Sequence, residues 1–119
     1  MKIKQFVFNP FQENTYLLYD ETGEAIIVDA GCYTPSEAAE VKRFTDENKL
    51  TVKFLVNTHC HIDHILGINA LQDIYNVDCF AHREELPTIQ MAPKHAIMFG
   101  LVIDTVPKVE KTFDNGDEL

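Results

Sequence analysis

Apolar positions near the N-terminus come in short runs broken by turn-forming residues. NTYLLYD and EAIIVDAG, separated by Thr22 and Gly23, read as the two strands of an antiparallel hairpin, the second with a β-branched centre. KIKQFVF before them alternates imperfectly through Ile3, Phe6 and Phe8, which predicts a further strand at the edge of the same sheet. TPSEAAEVKRFTDENKL then switches to a helical period. Thr34 is placed to cap, Pro35 suits the first helical position, and Glu37 closes a capping box. Ala38, Val41 and Phe44, with Ala39, form the apolar stripe, opposite Glu40, Lys42, Arg43, Asp46 and Glu47. VKFLVN follows as a nearly continuous apolar run, which predicts a strand buried on both faces.

Helix and strand go on alternating. Ile68, Leu71 and Tyr75 recur at helical spacing and VDCFAH reads as a short strand. The fold class is therefore α/β, with parallel pairing through crossover helices and ligands gathered at the carboxyl ends of strands. Val56 to His64 lies at such an end. From Arg83 to Gly100 the pattern is less regular, Pro87 and Pro93 excluding a long helix, and VEKTF with DNGDEL predicts a last strand and turn.

Within VNTHCHIDHILG, three histidines and one aspartate occupy six residues. Imidazole and carboxylate suit zinc, iron and manganese, and a catalytic metal usually takes three protein ligands with a position left for water. His59 and His61 are two apart, so on an extended loop both project to one side and can pinch one ion. A turn into helix near Ile65 swings Asp63 and His64 toward a second position. The alternative, a polar surface loop, accounts less well for a cluster that follows an apolar strand and precedes a helix. Cys60 reads as a small loop residue, Cys32 and Cys79 as core, and His82 as a hydrogen-bonded structural residue. His95 falls in the irregular region, where Met91 and Met98 read as packing.

Composition narrows the partners. At 119 residues and 45% hydrophobic content the chain suits one domain, able to bury ~65% of its unfolded surface. A net charge of −9 with no basic cluster argues against nucleic acid, while a small anionic substrate stays compatible with a locally positive metal pocket. Three cysteines without a CxxC pair fit a reducing cytoplasm. MKIKQFVFNP lacks the apolar stretch of an export signal, and the longest apolar run, AIMFGLVI, is far short of the ~20 residues of a membrane span. No membrane partner is expected.

THCHIDHILG resembles the HxHxDH motif of the metallo-β-lactamase superfamily, and NTYLLYD and AIIVDAG resemble the opening strands of its glyoxalase II-like hydrolases. The resemblance implies the first half of a four-layer αββα sandwich. It implies His59 and His61 as ligands of one metal, Asp63 and His64 as ligands of a second, and Asp29 as the acidic residue supporting them from behind. Asp63 would also orient the attacking hydroxide. Zinc is the implied metal, two ions in a complete protein, with iron or manganese as alternatives. Histidine at His61 argues against the flavodiiron branch, and His64 favours the glyoxalase-like and lactonase-like branches.

The implied activity is hydrolysis of a small-molecule thioester, ester or lactone, the ions lowering the pKa of a shared water. A mononuclear iron persulfide dioxygenase and a non-catalytic metal-binding or assembly module are the rival readings. The family's remaining ligands have no counterpart among these residues. Residues 1–119 are accordingly expected to be a truncated domain without turnover of its own, prone to self-association through an uncovered sheet face.

Overall fold

Strand β1 (Lys2–Phe8) takes the expected edge position, antiparallel to β2 (Glu13–Tyr19), and β2 pairs antiparallel with β3 (Glu24–Val28) as the expected hairpin. This computed structural model describes residues 1–103, 105–109 and 111–114. After β3 the pairing becomes parallel. Helix α1 (Pro35–Glu47) leads to β4 (Thr51–Asn57), and α2 (Ile62–Ile65) with α3 (Ile68–Tyr75) leads to β5 (Cys79–His82). A 3-10 turn (Arg83–Glu85), α4 (Leu86–Gln90) and α5 (Ala92–Met98) then precede β6 (Lys111–Phe113).

The six strands lie in chain order, so each parallel crossover advances one place in the same direction. Right-handed crossovers then put every connecting helix on the same face of the sheet. Burial follows that rule. Phe6, Phe8, Leu17, Ile27, Leu55 and Cys79 are buried on the helix side, whereas Ile3 and Val7 on the other side are 65% and 57% exposed. On β4 the expectation of two-sided burial therefore fails. Leu55 is fully buried, but Phe54 and Val56 are only half-buried, because no layer covers their face among the described residues. Phe54 rests edge-on against Phe80, ring centroids 5.2 Å apart, on that open side.

Helix α1 starts as the sequence dictates. The Thr34 side chain accepts from the Glu37 N–H and the Glu37 carboxylate accepts from the Thr34 N–H, closing the capping box. Phe44 meets Phe6 and Tyr19 edge-on at 5.9 and 5.8 Å. Ala39 is exposed rather than part of the stripe. Thr45 takes the core position, its Oγ1 lying 2.9 Å from both Tyr75 Oη and the Lys42 carbonyl oxygen.

As expected from Pro87 and Pro93, no long helix forms here; each proline sits in the first turn of a short one, α4 and α5, where a missing N–H costs nothing. Met91 and Met98, expected as packing, are 40% and 75% exposed, because α5 buries Ala92 and Ala96 instead. The turn expected over DNGDEL lies outside the described residues after Asp114. No described helix is long and apolar enough to cross a membrane.

Candidate metal centre

Three polar residues on the buried face are brought to one end of the sheet by topology. Because β2 runs opposite to β3 and β4, its first residue, Glu13, lies beside Asp29, which follows β3, and Asn57, which ends β4. Asp29 has φ +58°, a left-handed conformation that aspartate tolerates better than most residues. Its N–H still donates to the Val56 carbonyl at 2.9 Å, and the turn aims its carboxylate at the motif loop. Oδ1 accepts from the Thr58 N–H at 2.7 Å and Oδ2 from the Thr58 hydroxyl at 2.6 Å. Asp29 thus anchors Thr58, the residue before His59.

Helix α2 begins at Ile62, three residues earlier than the turn expected near Ile65. His61 is its N-cap residue, and burial of Ile62 and Ile65 leaves Asp63 and His64 on the outward side, both half-buried. Ligand atoms of Asp29, His59 and His64 all lie within 4.8 Å of one another. Asp63 Oδ2 stands 3.5 Å from His64 Nε2, and the exposed His61 ring lies 6.2 Å from that of His59. Imidazoles and carboxylates converging at a strand end form a donor set that fits a divalent transition metal. The structure thus gathers Asp29 with His59 and His64 and sets His61 and Asp63 beside them.

Two asparagines hold this arrangement and were not singled out from sequence. Asn57, fully buried, donates from Nδ2 to the carbonyls of His64 at 2.6 Å and His59 at 3.1 Å. Asn9, in the β1–β2 turn, donates from Nδ2 to the carbonyls of Gly31 and Asp63, each at 2.9 Å. Gly31 matters by what it lacks, since a Cβ there would collide with the Glu13 carboxyl.

Glu13 is the third residue that sequence reading passed over. Its side chain is 1% exposed, and burial, with Asp29, Asp63 and Glu37 adding negative charge, pushes its carboxyl up to about 8 against the opposing Thr15 hydrogen bond. Hydrogen-bond accounting agrees. Thr15 Oγ1 lies 2.8 Å from Glu13 Oε2 and 2.7 Å from the Asp29 carbonyl oxygen, and accepts from the Gly31 N–H at 3.1 Å. One hydroxyl proton serves one of those oxygens, and a carbonyl can only accept, so Glu13 Oε2 brings its own proton.

In the metal-free chain, folded Glu13 keeps a proton that the unfolded chain releases above the ordinary value of 4.5. The unfolded state then binds fewer protons, so stability falls as pH rises from 4.5 to about 8 and levels above it. Urea unfolding should show wild type losing up to ~1.4 kcal/mol per pH unit relative to Glu13→Gln. Parallel pH profiles for the two proteins would remove the protonated carboxyl.

The remaining candidates stay structural. Cys60 is fully buried, and burial pushes its thiol up to about 12, leaving it inert between the two histidines. Cys32 and Cys79 are buried in the core. His82 Nδ1 accepts from the Glu84 N–H at 3.1 Å, capping the 3-10 turn. Half-buried His95 belongs to α5. An open cleft of about 400 Å³ is lined by Phe11, Glu13, Asp29, His59, Asp63 and His64 among others. A second, of about 560 Å³, lies beyond His59 against His82, Glu84, Glu85 and Phe113.

A mixed α/β sheet carrying a histidine–aspartate cluster at the carboxyl ends of its parallel strands defines a metal-site protein class. Within that class, residues 8–119 match the metallo-beta-lactamase superfamily, and the chain belongs to it. It is 29% identical over 102 residues to the hydroxyacylglutathione hydrolase GloC of Haemophilus influenzae, covering 85% of this chain and 46% of that protein. It is 36% identical over 86 residues to the hydroxyacylglutathione hydrolase of Francisella tularensis subsp. novicida, covering 71% and 32%. The crystal structure of the BLEG-1 B3 metallo-beta-lactamase superposes with TM-score 0.83 at 26% identity, over 99% of this chain and 56% of that one. The chain thus spans less than half the length of these curated relatives.

Proposed function

We propose that this chain supplies the metal-binding part of a hydrolase acting on thioesters or related esters and lactones. The observation that carries the reading is the convergence of His59, His64 and Asp29 within 4.8 Å, with His61 and Asp63 alongside, in a chain similar to hydroxyacylglutathione hydrolases. His59 and His61 would hold one ion, zinc by preference, and Asp63 with His64 a second. Bound divalent ions supply Lewis acidity, which lowers the pKa of water and polarises an ester carbonyl.

The chain's own residues do the positioning. Asp29 and Thr58 fix the backbone ahead of His59, and Asn57 fixes the carbonyls of His59 and His64, so the imidazoles meet the cleft with little freedom left. The Asp63 carboxylate borders the same cleft as Phe11, where it can accept a proton from water and orient it toward a bound acyl group.

The test is thioester hydrolysis at saturating zinc by these residues extended to the length of the hydroxyacylglutathione hydrolases, with and without Asp63→Asn. Turnover should fall at least ~100-fold, the scale of a positioned proton acceptor, while thermal stability stays within ~0.5 kcal/mol. Undiminished turnover with metal still bound would remove Asp63 from the chemistry, and a broad loss of folding would make it structural.

A further inference from the structure

Two buried polar atoms at the centre have no hydrogen-bond partner among the described residues, and they face each other. Glu13 Oε1 and His64 Nδ1 are the atoms, 3.5 Å apart. We infer that Glu13 is a positioning residue for His64, its Oε1 accepting the Nδ1–H and thereby turning Nε2 toward the metal pocket. The inference rests on the metal-centre reading above and adds a member to it.

Asp29 is the competing acceptor, with Oδ2 3.3 Å from the same nitrogen. Each of its oxygens, however, already accepts one bond from Thr58, at 2.7 and 2.6 Å, so His64 would be a second donor on Oδ2, competing with the bonds that hold the loop before His59. Glu13 Oε1 accepts from no described residue. An imidazole with one nitrogen on an acceptor presents the other as a lone pair, and a ligating histidine is regularly set this way by a partner behind it. On His64 the partner must sit at Nδ1, because Nε2 is the nitrogen on the Asp63 side, 3.5 Å from Oδ2.

The Glu13 side chain is also held where the role needs it. Oε2 is tied to Thr15 at 2.8 Å, and the Gly31 backbone closes over the carboxyl so tightly that a methyl group there would overlap it. Oε1 is consequently left pointing at the ring. A shift of a few tenths of an ångström in the imidazole brings 3.5 Å to the ~3.0 Å of an ordinary N–H···O bond. A glutamine at this position can make both contacts, its amide N–H₂ to Thr15 and its carbonyl to His64. Methionine fills the space and makes neither.

The experiment compares the full chain with Glu13→Gln and Glu13→Met at pH 7 by two measurements. Nitrogen-15 imidazole spectra of the metal-free proteins report the tautomer of His64. His82 serves as an internal reference, since its Nδ1 accepts from Glu84 and its proton must be on Nε2. Zinc affinity is measured by competition with a chromophoric chelator. Wild type and Glu13→Gln should carry the His64 proton on Nδ1 and bind zinc within ~3-fold of each other. Glu13→Met should move His64 toward the Nε2–H form and weaken zinc ~10- to 100-fold.

A methionine variant with the wild-type tautomer and affinity overturns the assignment. So does a glutamine variant whose His64 proton has moved to Nε2, which keeps the test decisive even if methionine prevents folding. A wild-type chain that takes up no zinc would count against the metal-centre reading alone, because the tautomer measurement on metal-free protein still decides the role of Glu13.

Discussion

Replacing His59 and His61 together by alanine is expected to abolish stoichiometric metal uptake while leaving the fold in place. Both side chains are exposed and neither is part of the core, so their loss removes little packing. What they provide is donor count. The group that lies within 4.8 Å depends on His59, and without either imidazole the loop keeps His64 with Asp29 and Asp63. That leaves one imidazole and two carboxylates, one of them already holding Thr58, where catalytic zinc sites usually have at least two histidines or cysteines. Zinc affinity should drop by more than ~100-fold, beyond the loss typical of an outer partner. Elemental analysis of purified protein before and after the double substitution, with circular dichroism to check folding, is the measurement. Unchanged metal content in a folded variant would strip both histidines of the ligand role.

The parts of this site that were legible in the sequence are those written in local patterns. The capping box at Thr34 and Glu37 involves residues three apart and can be read without knowing the fold. The same holds for the histidine spacing after an apolar strand. Glu13 and Asn57 were missed for the opposite reason. Each lies in phase with buried neighbours, Glu13 with Thr15 and Leu17, Asn57 with Leu55, so alternation alone marks the position as core and says nothing of why it is polar. The partner of Glu13, His64, arrives through the sheet topology from far along the chain, while those of Asn57 are backbone carbonyls two and seven residues on, which a pattern of side chains does not show.

Strand β4 shows a limit of another kind. Its apolar run specifies two apolar faces, but whether both are covered depends on which side the crossover helices take. Handedness sends all of them to the Leu55 side. Phe54 and Val56 then carry the sequence signature of burial without a covering layer among the described residues.

Substitution of Asn57 by leucine should be among the most damaging single changes in the chain, although Asn57 is no metal ligand. The side chain is fully buried under the motif loop, and its Nδ2 donates to two carbonyls, those of His64 at 2.6 Å and His59 at 3.1 Å. Leucine matches the volume closely enough to fill the site, so the effect isolates the hydrogen bonds from any cavity. Each lost bond is worth about 1 kcal/mol net, and leaving a buried acceptor facing an apolar group costs a further ~1–3 kcal/mol. The variant should therefore be destabilised by about 2–4 kcal/mol in urea unfolding. The Cys60–His64 loop should also exchange its amide hydrogens faster than strands β2 and β3, because its tether to β4 is gone while the hairpin ladder is intact. Zinc binding should weaken in parallel, since His59 and His64 would no longer be held at a common backbone anchor. A leucine variant within ~0.5 kcal/mol of wild type, with unchanged exchange in the loop, would show that Asp29 and Thr58 alone are enough to hold the motif.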